Sequence, residues 1–147
     1  MKLTANRIAG ILRKRGYKLT PQRHAILKAM AQSHDHLTPS AILDRARGEC
    51  PAIGRVTVYR MIKLLTELKL ICEVHIEGNY RSYLMRRPTE HHHHLICNYC
   101  GRAIDFACCG LSELEQRLTR ETEFKIEGHL LEFHGRCRHC QQTASEQ

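Results

Sequence analysis

Cysteine and histidine carry most of the chemistry available to this chain, and they are concentrated towards its C-terminal end. Cys97-Asn98-Tyr99-Cys100 is matched by Cys137-Arg138-His139-Cys140, with 36 residues between the pairs. Each pair can chelate through a tight turn, with Gly101 following the first and Gly135 preceding the second. Two such pairs complete a tetrahedral four-thiolate shell, the shell that suits structural zinc. It has no open position for a reactive water. No His-x-Glu or His-Glu-x-x-His stretch supplies a catalytic base beside it. The site therefore reads as a staple, and an enzyme is not expected.

The run Glu90-His91-His92-His93-His94 leads straight into the first pair. In an extended segment side chains alternate in direction. His92 and His94 then point one way, and His91 and His93 the other, so one run can serve two separate metal sites. Imidazole with carboxylate holds iron, zinc, nickel or manganese, and exchanges metal more readily than four thiolates. That behaviour suits a sensor. Cys108-Cys109 adds two soft donors, which either bind metal or stand as idle thiols.

The remainder of the chain has a different character. Residues 1–88 hold 17 Lys and Arg against 6 Asp and Glu, whereas residues 89–147 hold 6 against 9. A basic module thus precedes a ligand-rich one, and the basic module suits a polyanion such as DNA. No window of eighteen apolar residues exists to span a membrane. The N-terminus is periodic and interrupted by charge, unlike a signal peptide. A cytoplasmic protein is expected, where structural disulfides are rare and paired cysteines read as metal thiolates.

The elements that must position these groups follow from the pattern. Leu3, Ile8, Ile11 and Leu12 recur at helical spacing up to Gly16. Thr20-Pro21 and Thr38-Pro39 open two further helices, each with Thr as cap and Pro at the first turn. A fourth helix runs from Arg55 to Leu68. Its residues Val58, Met61, Ile62, Leu65 and Leu68 pack inward, while Thr57, Arg60 and Lys63 share a polar face with Tyr59 at its edge. Such a face can bond phosphates and base edges in a major groove. Residues 71–76 and 80–85 alternate as two strands around a Gly78-Asn79 turn, with Arg81 near phosphate reach and Arg86 and Arg87 at the exit. Four helices and a two-stranded ribbon describe a winged helix. Beyond it, Arg102 to Phe106 reads as a strand. Ser112 and Glu115 form a capping box for a helix to about Glu121, and Phe124 to Phe133 reads as a returning strand. The fold class is α+β: a winged helix over residues 1–86, a hinge at 87–90, a small α/β metal-binding module over 91–140 suited to dimerisation, and a flexible tail at 141–147.

Leu19-Thr20-Pro21-Gln22-Arg23, Thr57-Val58-Tyr59-Arg60, the run His91 to Cys100, and Gly135 to Cys140 occur together in this order. On these motifs the chain resembles the ferric uptake regulator family of metal-responsive repressors across roughly residues 4–140. The resemblance implies a homodimer that binds a palindromic double-stranded DNA operator when its regulatory metal is loaded. It places Tyr59 and Arg60 in the recognition helix and Lys18 near the minor groove. It puts structural zinc on Cys97, Cys100, Cys137 and Cys140. It assigns the interdomain sensing site to His36, His92 and His94, with Glu73 as the acidic ligand that zinc-sensing relatives use. It assigns a second site to His91, His93 and His129, beside which Asp105 also matches a family carboxylate.

Several positions depart from the family pattern. Met85 stands where iron-sensing relatives often carry Glu, and Arg87 where some zinc-sensing relatives carry Cys. Met85 and Arg86 occupy the neighbourhood of the Asp of the peroxide-sensing branch. Ser112 replaces a second-site carboxylate, although Glu113 is adjacent, and the Cys108-Cys109 pair resembles a cysteine seen near this point in some zinc-sensing members. Zinc and iron(II) both remain open as the regulatory metal, with Glu73 and the surplus cysteines favouring zinc. The alternative is a metal storage or trafficking protein without operator binding, which leaves the basic first part and its Tyr59-bearing helix unexplained.

Overall fold

Two Thr-Pro dipeptides set the geometry of the N-terminal helices in the computed structural model, which describes residues 3–76, 80–85, 91–107 and 109–144. Helix α1 spans Ala5–Lys14, α2 Pro21–Ala31, α3 Pro39–Arg47 and α4 Arg55–Glu67. The backbone N–H of Arg23 donates to Thr20 Oγ1 at 3.3 Å, and that of Ala41 to Thr38 Oγ1 at 3.2 Å. Thr4 caps α1 in the same way through the N–H of Arg7. Each hydroxyl satisfies a donor that the first helical turn leaves without an intrahelical partner. Proline fits the following position because its missing N–H costs nothing there. Gly16, at φ 82°, supplies the left-handed residue that ends α1.

The chain divides into two compact units, residues 1–90 and 91–147. In the first, α1 to α4 enclose an aliphatic core that includes Ile8, Leu12, Ile26, Leu27, Met30, Ile42, Val58, Met61 and Leu65. Strands β1 (Cys72–Ile76) and β2 (Tyr80–Leu84) pair antiparallel, with Glu73 opposite Tyr83 and His75 opposite Arg81. Leu37 bridges to Tyr83 through two backbone hydrogen bonds of 2.8 Å, tying the ribbon to the entrance of α3. Helices followed by a ribbon make this unit a winged helix. Met85 is fully buried in its core. The Gly78-Asn79 turn, Arg86 and Arg87, and the 87–90 hinge lie outside the described residues.

The second unit is a three-stranded sheet in the order β4-β3-β5, from β3 (His93–Cys97), β4 (Ala103–Phe106) and β5 (Glu132–Gly135), with α5 (Ser112–Thr122) between β4 and β5. β3 pairs antiparallel with β4 and parallel with β5. Three sequence expectations change here. The cap of α5 is Leu111, which makes no side-chain cap bond, and Ser112 is already inside the helix, so the capping box does not form. The expected long returning strand is regular only at Glu132–Gly135. Glu123 ends α5 in the left-handed region at φ 57°, and Phe124 and Leu130 leave the following stretch 72% and 74% exposed. Finally, the tail expected from residue 141 begins as helix: α6 spans Arg138–Ala144, seeded where the Cys137 carbonyl accepts from the N–H of Gln141 at 3.0 Å.

Candidate metal centres and nucleic-acid interface

Parallel pairing of β3 with β5 brings the two cysteine pairs together. Cys97 ends β3, opposite Gly135, and the N–H of Asn98 donates to the Gly135 carbonyl at 2.9 Å. Gly101, at φ 73°, closes the knuckle by donating its N–H to the Cys97 carbonyl. Cys137 precedes α6, and Cys140 lies in its first turn. All four sulfurs fall within 4.8 Å of one another, and Cys100 Sγ stands 3.7 Å from Cys137 Sγ. Zinc–sulfur bonds of about 2.3 Å imply a tetrahedral edge of about 3.8 Å, so the spacing fits zinc. Burial pushes the Cys97 thiol up, but the backbone N–H groups of Cys137, Cys100 and Tyr99 and the thiol of Cys100 outweigh it and hold the group at about 6. Cys140 is pushed up to about 12 by burial and by the sulfurs of Cys137, Cys100 and Cys97. The protein stabilises the Cys97 thiolate, and Cys140 needs a cation to ionise beside it.

The histidine run is split by the sheet. The rings of His92 and His94 lie 5.1 Å apart on one face. His94 is buried, and its Nε2 stands 3.5 Å from Asp105 Oδ1 on the neighbouring strand. In register on the other side is Glu132, whose Oε1 is buried without a hydrogen-bond partner. On the opposite face the rings of His91 and His93 lie 4.6 Å apart, and His129 stacks on His93 at 5.0 Å. His93 Nε2 is 3.1 Å from His91 Nε2 and 3.4 Å from His129 Nε2, while His91 Nε2 is 3.2 Å from Cys109 Sγ. Burial lowers the pKa of His93, and the imidazoles of His91, His129 and His92 lower it further, which keeps it in the neutral form that binds metal.

This geometry revises two assignments. Asp105, expected beside His91, His93 and His129, sits across the strand pair from His94, because directly paired residues share a sheet face. Glu113 is exposed in the first turn of α5, whereas Glu115 Oε1 reaches His129 Nδ1 at 2.6 Å. Two residues along a helix turn the side chain by about 200°, which aims 115 and not 113 at the histidines. The sequence signalled Glu115 only as a capping residue, and Glu132 only as one side of a strand. Cys108 lies outside the described residues. In the first unit, Glu73 Oε1 is engaged by His75 Nε2 at 3.2 Å and Arg81 Nε at 3.3 Å. His36 lies between α2 and α3 of the same unit.

Helix α4 buries Val58, Met61, Ile62 and Leu65. Its exposed stripe is Val56, Tyr59, Arg60 and Lys63, at helical spacings of three and four, with Val56 62% and Tyr59 58% exposed. Thr57, expected on the polar face, is half-buried with Oγ1 3.5 Å from Gln22 Oε1 on α2. Val56 takes its place on the stripe. The sequence pattern gave Val56 no role, since an apolar side chain carries no donor or charge to mark it as a contact. Lys18 is exposed, and its carbonyl accepts from Arg23 Nη1 at 2.7 Å, which fixes the loop that carries it.

A winged helix with an exposed basic stripe, joined to a sheet built from metal donors, defines a metal-responsive DNA-binding regulator. The model of the ferric uptake regulator family matches residues 14–134. The ferric uptake regulation protein of Bacillus subtilis is 34% identical over 99% of this chain and all of its own length. The Helicobacter pylori ferric uptake regulator, whose structure shows three functional metal-binding sites, superposes with a TM-score of 0.76 at 25% identity, covering 95% of each chain. A zinc uptake regulator complexed with zinc and DNA superposes with a TM-score of 0.68 at 25% identity, covering 96% of this chain and 95% of its own. The chain belongs to the ferric uptake regulator family: it is a metal-responsive transcription regulator, not an enzyme. Among the described residues no helix is long and apolar enough to cross a membrane.

Proposed function

We propose that this protein is a homodimeric, cytoplasmic repressor that binds palindromic operators of metal-uptake genes when its regulatory metal is loaded. The observation that carries the reading is the exposed stripe Val56, Tyr59, Arg60 and Lys63 on α4, in the unit that holds most of the basic residues. Arg60 and Lys63 supply donors for phosphates and guanine acceptors, Tyr59 a hydroxyl, and Val56 an apolar contact for a thymine methyl. A zinc uptake regulator of similar fold is known complexed with zinc and DNA, which supports DNA as the partner.

Dimerisation is supported by an in-register row across the sheet. Ile104, Leu95 and Phe133 stand side by side on β4, β3 and β5, and each is about half exposed. An uncovered apolar row on a regular sheet is an interaction surface. A twofold dimer would present two recognition helices to half-sites about 34 Å apart.

For the regulatory metal, His94 and Asp105 offer a nitrogen and a carboxylate oxygen 3.5 Å apart, and the ring of His92 lies 5.1 Å from that of His94. Such donors take zinc or iron(II). The reading adds His36 and Glu73 from their motif positions, with Glu73 exchanging its partners His75 and Arg81 for the metal. A bound cation would supply the charge that draws these donors together. His94 on β3 and His92 just before it would anchor it, and the first unit's donors would then favour the operator-competent arrangement by a population shift. Metal and operator must strengthen each other by the same coupling energy. Zinc is favoured over iron, because of Glu73 and the surplus thiols. The test is operator affinity at fixed salt, in protein with its four-thiolate zinc intact, titrated with zinc, iron(II) and manganese(II) in turn. Equal affinity with and without every metal would end the reading, and activation by iron(II) alone would reverse the metal preference. Failure to bind any duplex would favour metal storage.

A further inference from the structure

The ribbon of the first unit carries a charged cluster beside the recognition helix. Register puts Glu73 and His75 of β1 and Arg81 and Tyr83 of β2 on one face, with Glu73 opposite Tyr83 and His75 opposite Arg81. Glu73 Oε1 is engaged by His75 Nε2 at 3.2 Å and by Arg81 Nε at 3.3 Å. The arginine side chain is 61% exposed, that of the glutamate 23%. Tyr83 is buried, and its backbone is bonded to Leu37 at the entrance of α3. Burial raises the Tyr83 phenol above its ordinary range, and the Glu73 carboxylate raises it further. Arg81, hydrogen-bonded to that hydroxyl, lowers it, and nearby Tyr59 raises it. The Arg81 guanidinium therefore stands between Glu73 and a phenol that neighbours Tyr59, beside the exposed stripe of α4.

We propose that Arg81 is a phosphate-binding residue gated by the regulatory metal: Glu73 holds it in the metal-free protein, and releases it to the DNA backbone when a cation takes the carboxylate. Paired with Glu73, the guanidinium adds no net charge towards a polyanion. Moving it to a phosphate without metal would leave a bare carboxylate facing the DNA backbone, and like charges repel. A divalent cation on Glu73 removes that penalty. Exposed ion pairs are weakly held, so the exchange costs little, and a guanidinium can meet a phosphate through two parallel hydrogen bonds. Metal occupancy then changes the charge of the DNA-facing surface within the first unit itself, separately from any rearrangement of the two units. The gate rests on the reading of Glu73 as a regulatory ligand.

The test measures binding of the full chain, with zinc in the four-thiolate shell, to a random duplex at several salt concentrations. Added zinc or iron(II) should steepen the fall of log affinity with log salt by about 0.9 per bound protomer more in the unsubstituted protein than in Arg81→Ala. Between 50 and 200 mM salt that slope amounts to about a 3.5-fold difference in affinity. Arg81→Lys keeps the charge and should keep the increment. In protein without regulatory metal, Glu73→Gln should reproduce the increment, and Glu73→Gln/Arg81→Ala should not. Arg81→Ala, having lost the competitor for Glu73, should take up metal at least as tightly as the unsubstituted protein. Hydrogen-exchange protection in β1 and β2 verifies that each variant keeps its ribbon. The gate is overturned by an equal metal increment with and without Arg81, by loss of the increment in Arg81→Lys, by an equal effect of Glu73→Gln in both backgrounds, or by weaker metal uptake in Arg81→Ala. Operator binding is scored separately. Metal-strengthened operator binding without the increment removes the gate and leaves the repressor, whereas the increment on random duplex without operator preference removes the repressor and leaves the gate.

Discussion

Stripping zinc from the four-thiolate shell should unfold residues 91–147 and leave residues 1–90 folded. The reason is the unequal share of apolar core. The core cluster is built from residues of the first unit, such as Ile26, Leu27, Ile42 and Leu65. Among the described residues of the second unit, the buried apolar side chains are Ile96 and Cys97. Full burial of an aliphatic side chain contributes about 1.5–3 kcal/mol, so Ile96 gives about 3 kcal/mol at most, and Cys97 acts as a zinc ligand rather than as core. A structural zinc contributes about 10–16 kcal/mol at neutral pH, which exceeds that burial and rivals the whole stability of a small domain, about 5–15 kcal/mol. Cys97→Ser should act like chelation, because it removes the thiolate that the backbone N–H groups already hold at about 6. The assay is segment-resolved amide hydrogen exchange alongside zinc release. Protection should vanish at residues 93–97 and 132–135 and persist at 25–30 and 58–65. A zinc-free protein that keeps its protection in β3 and β5 would refute the reasoning.

Three further outcomes are expected. Tyr59→Ala should weaken a specific operator by about 1–3 kcal/mol while sparing random duplex, whereas Lys18→Ala should weaken both and lower the salt slope by about 1; titrations on both duplexes at several salt concentrations separate the two. Leu95→Glu puts a charge at the centre of the Ile104–Leu95–Phe133 row and should raise the dimer dissociation constant at least thirtyfold, about 2 kcal/mol, as read by sedimentation. Leu65→Ala, at a position with no exposed surface, should destabilise the first unit by about 2–5 kcal/mol in denaturant melts without altering the zinc content.

Local chemistry was legible in the sequence. Thr20-Pro21 and Thr38-Pro39 start helices because a hydroxyl cap and a fixed φ act within one turn, whatever surrounds them. The four cysteines announced their shell because two chelating pairs constrain each other by donor type alone. The separation of His92 and His94 from His91 and His93 followed from the two-residue period of an extended chain. Tertiary structure decided what needs a partner from elsewhere. Asp105 faces His94, because the register between β3 and β4 sets which side of the sheet a residue shares, and a shift of one residue would have reversed it. Glu115 rather than Glu113 supports His129, because the start of α5 sets the helix phase, and its cap lies at Leu111 instead of the expected Ser112. Thr57 leaves the polar face for a similar reason: the packing of α4 on α2 sets the rotation of the helix, so Thr57 lies against Gln22 and the apolar Val56 is exposed. Side-chain periodicity determines which residues travel together, but only the docking of one element on another determines where each group of them points.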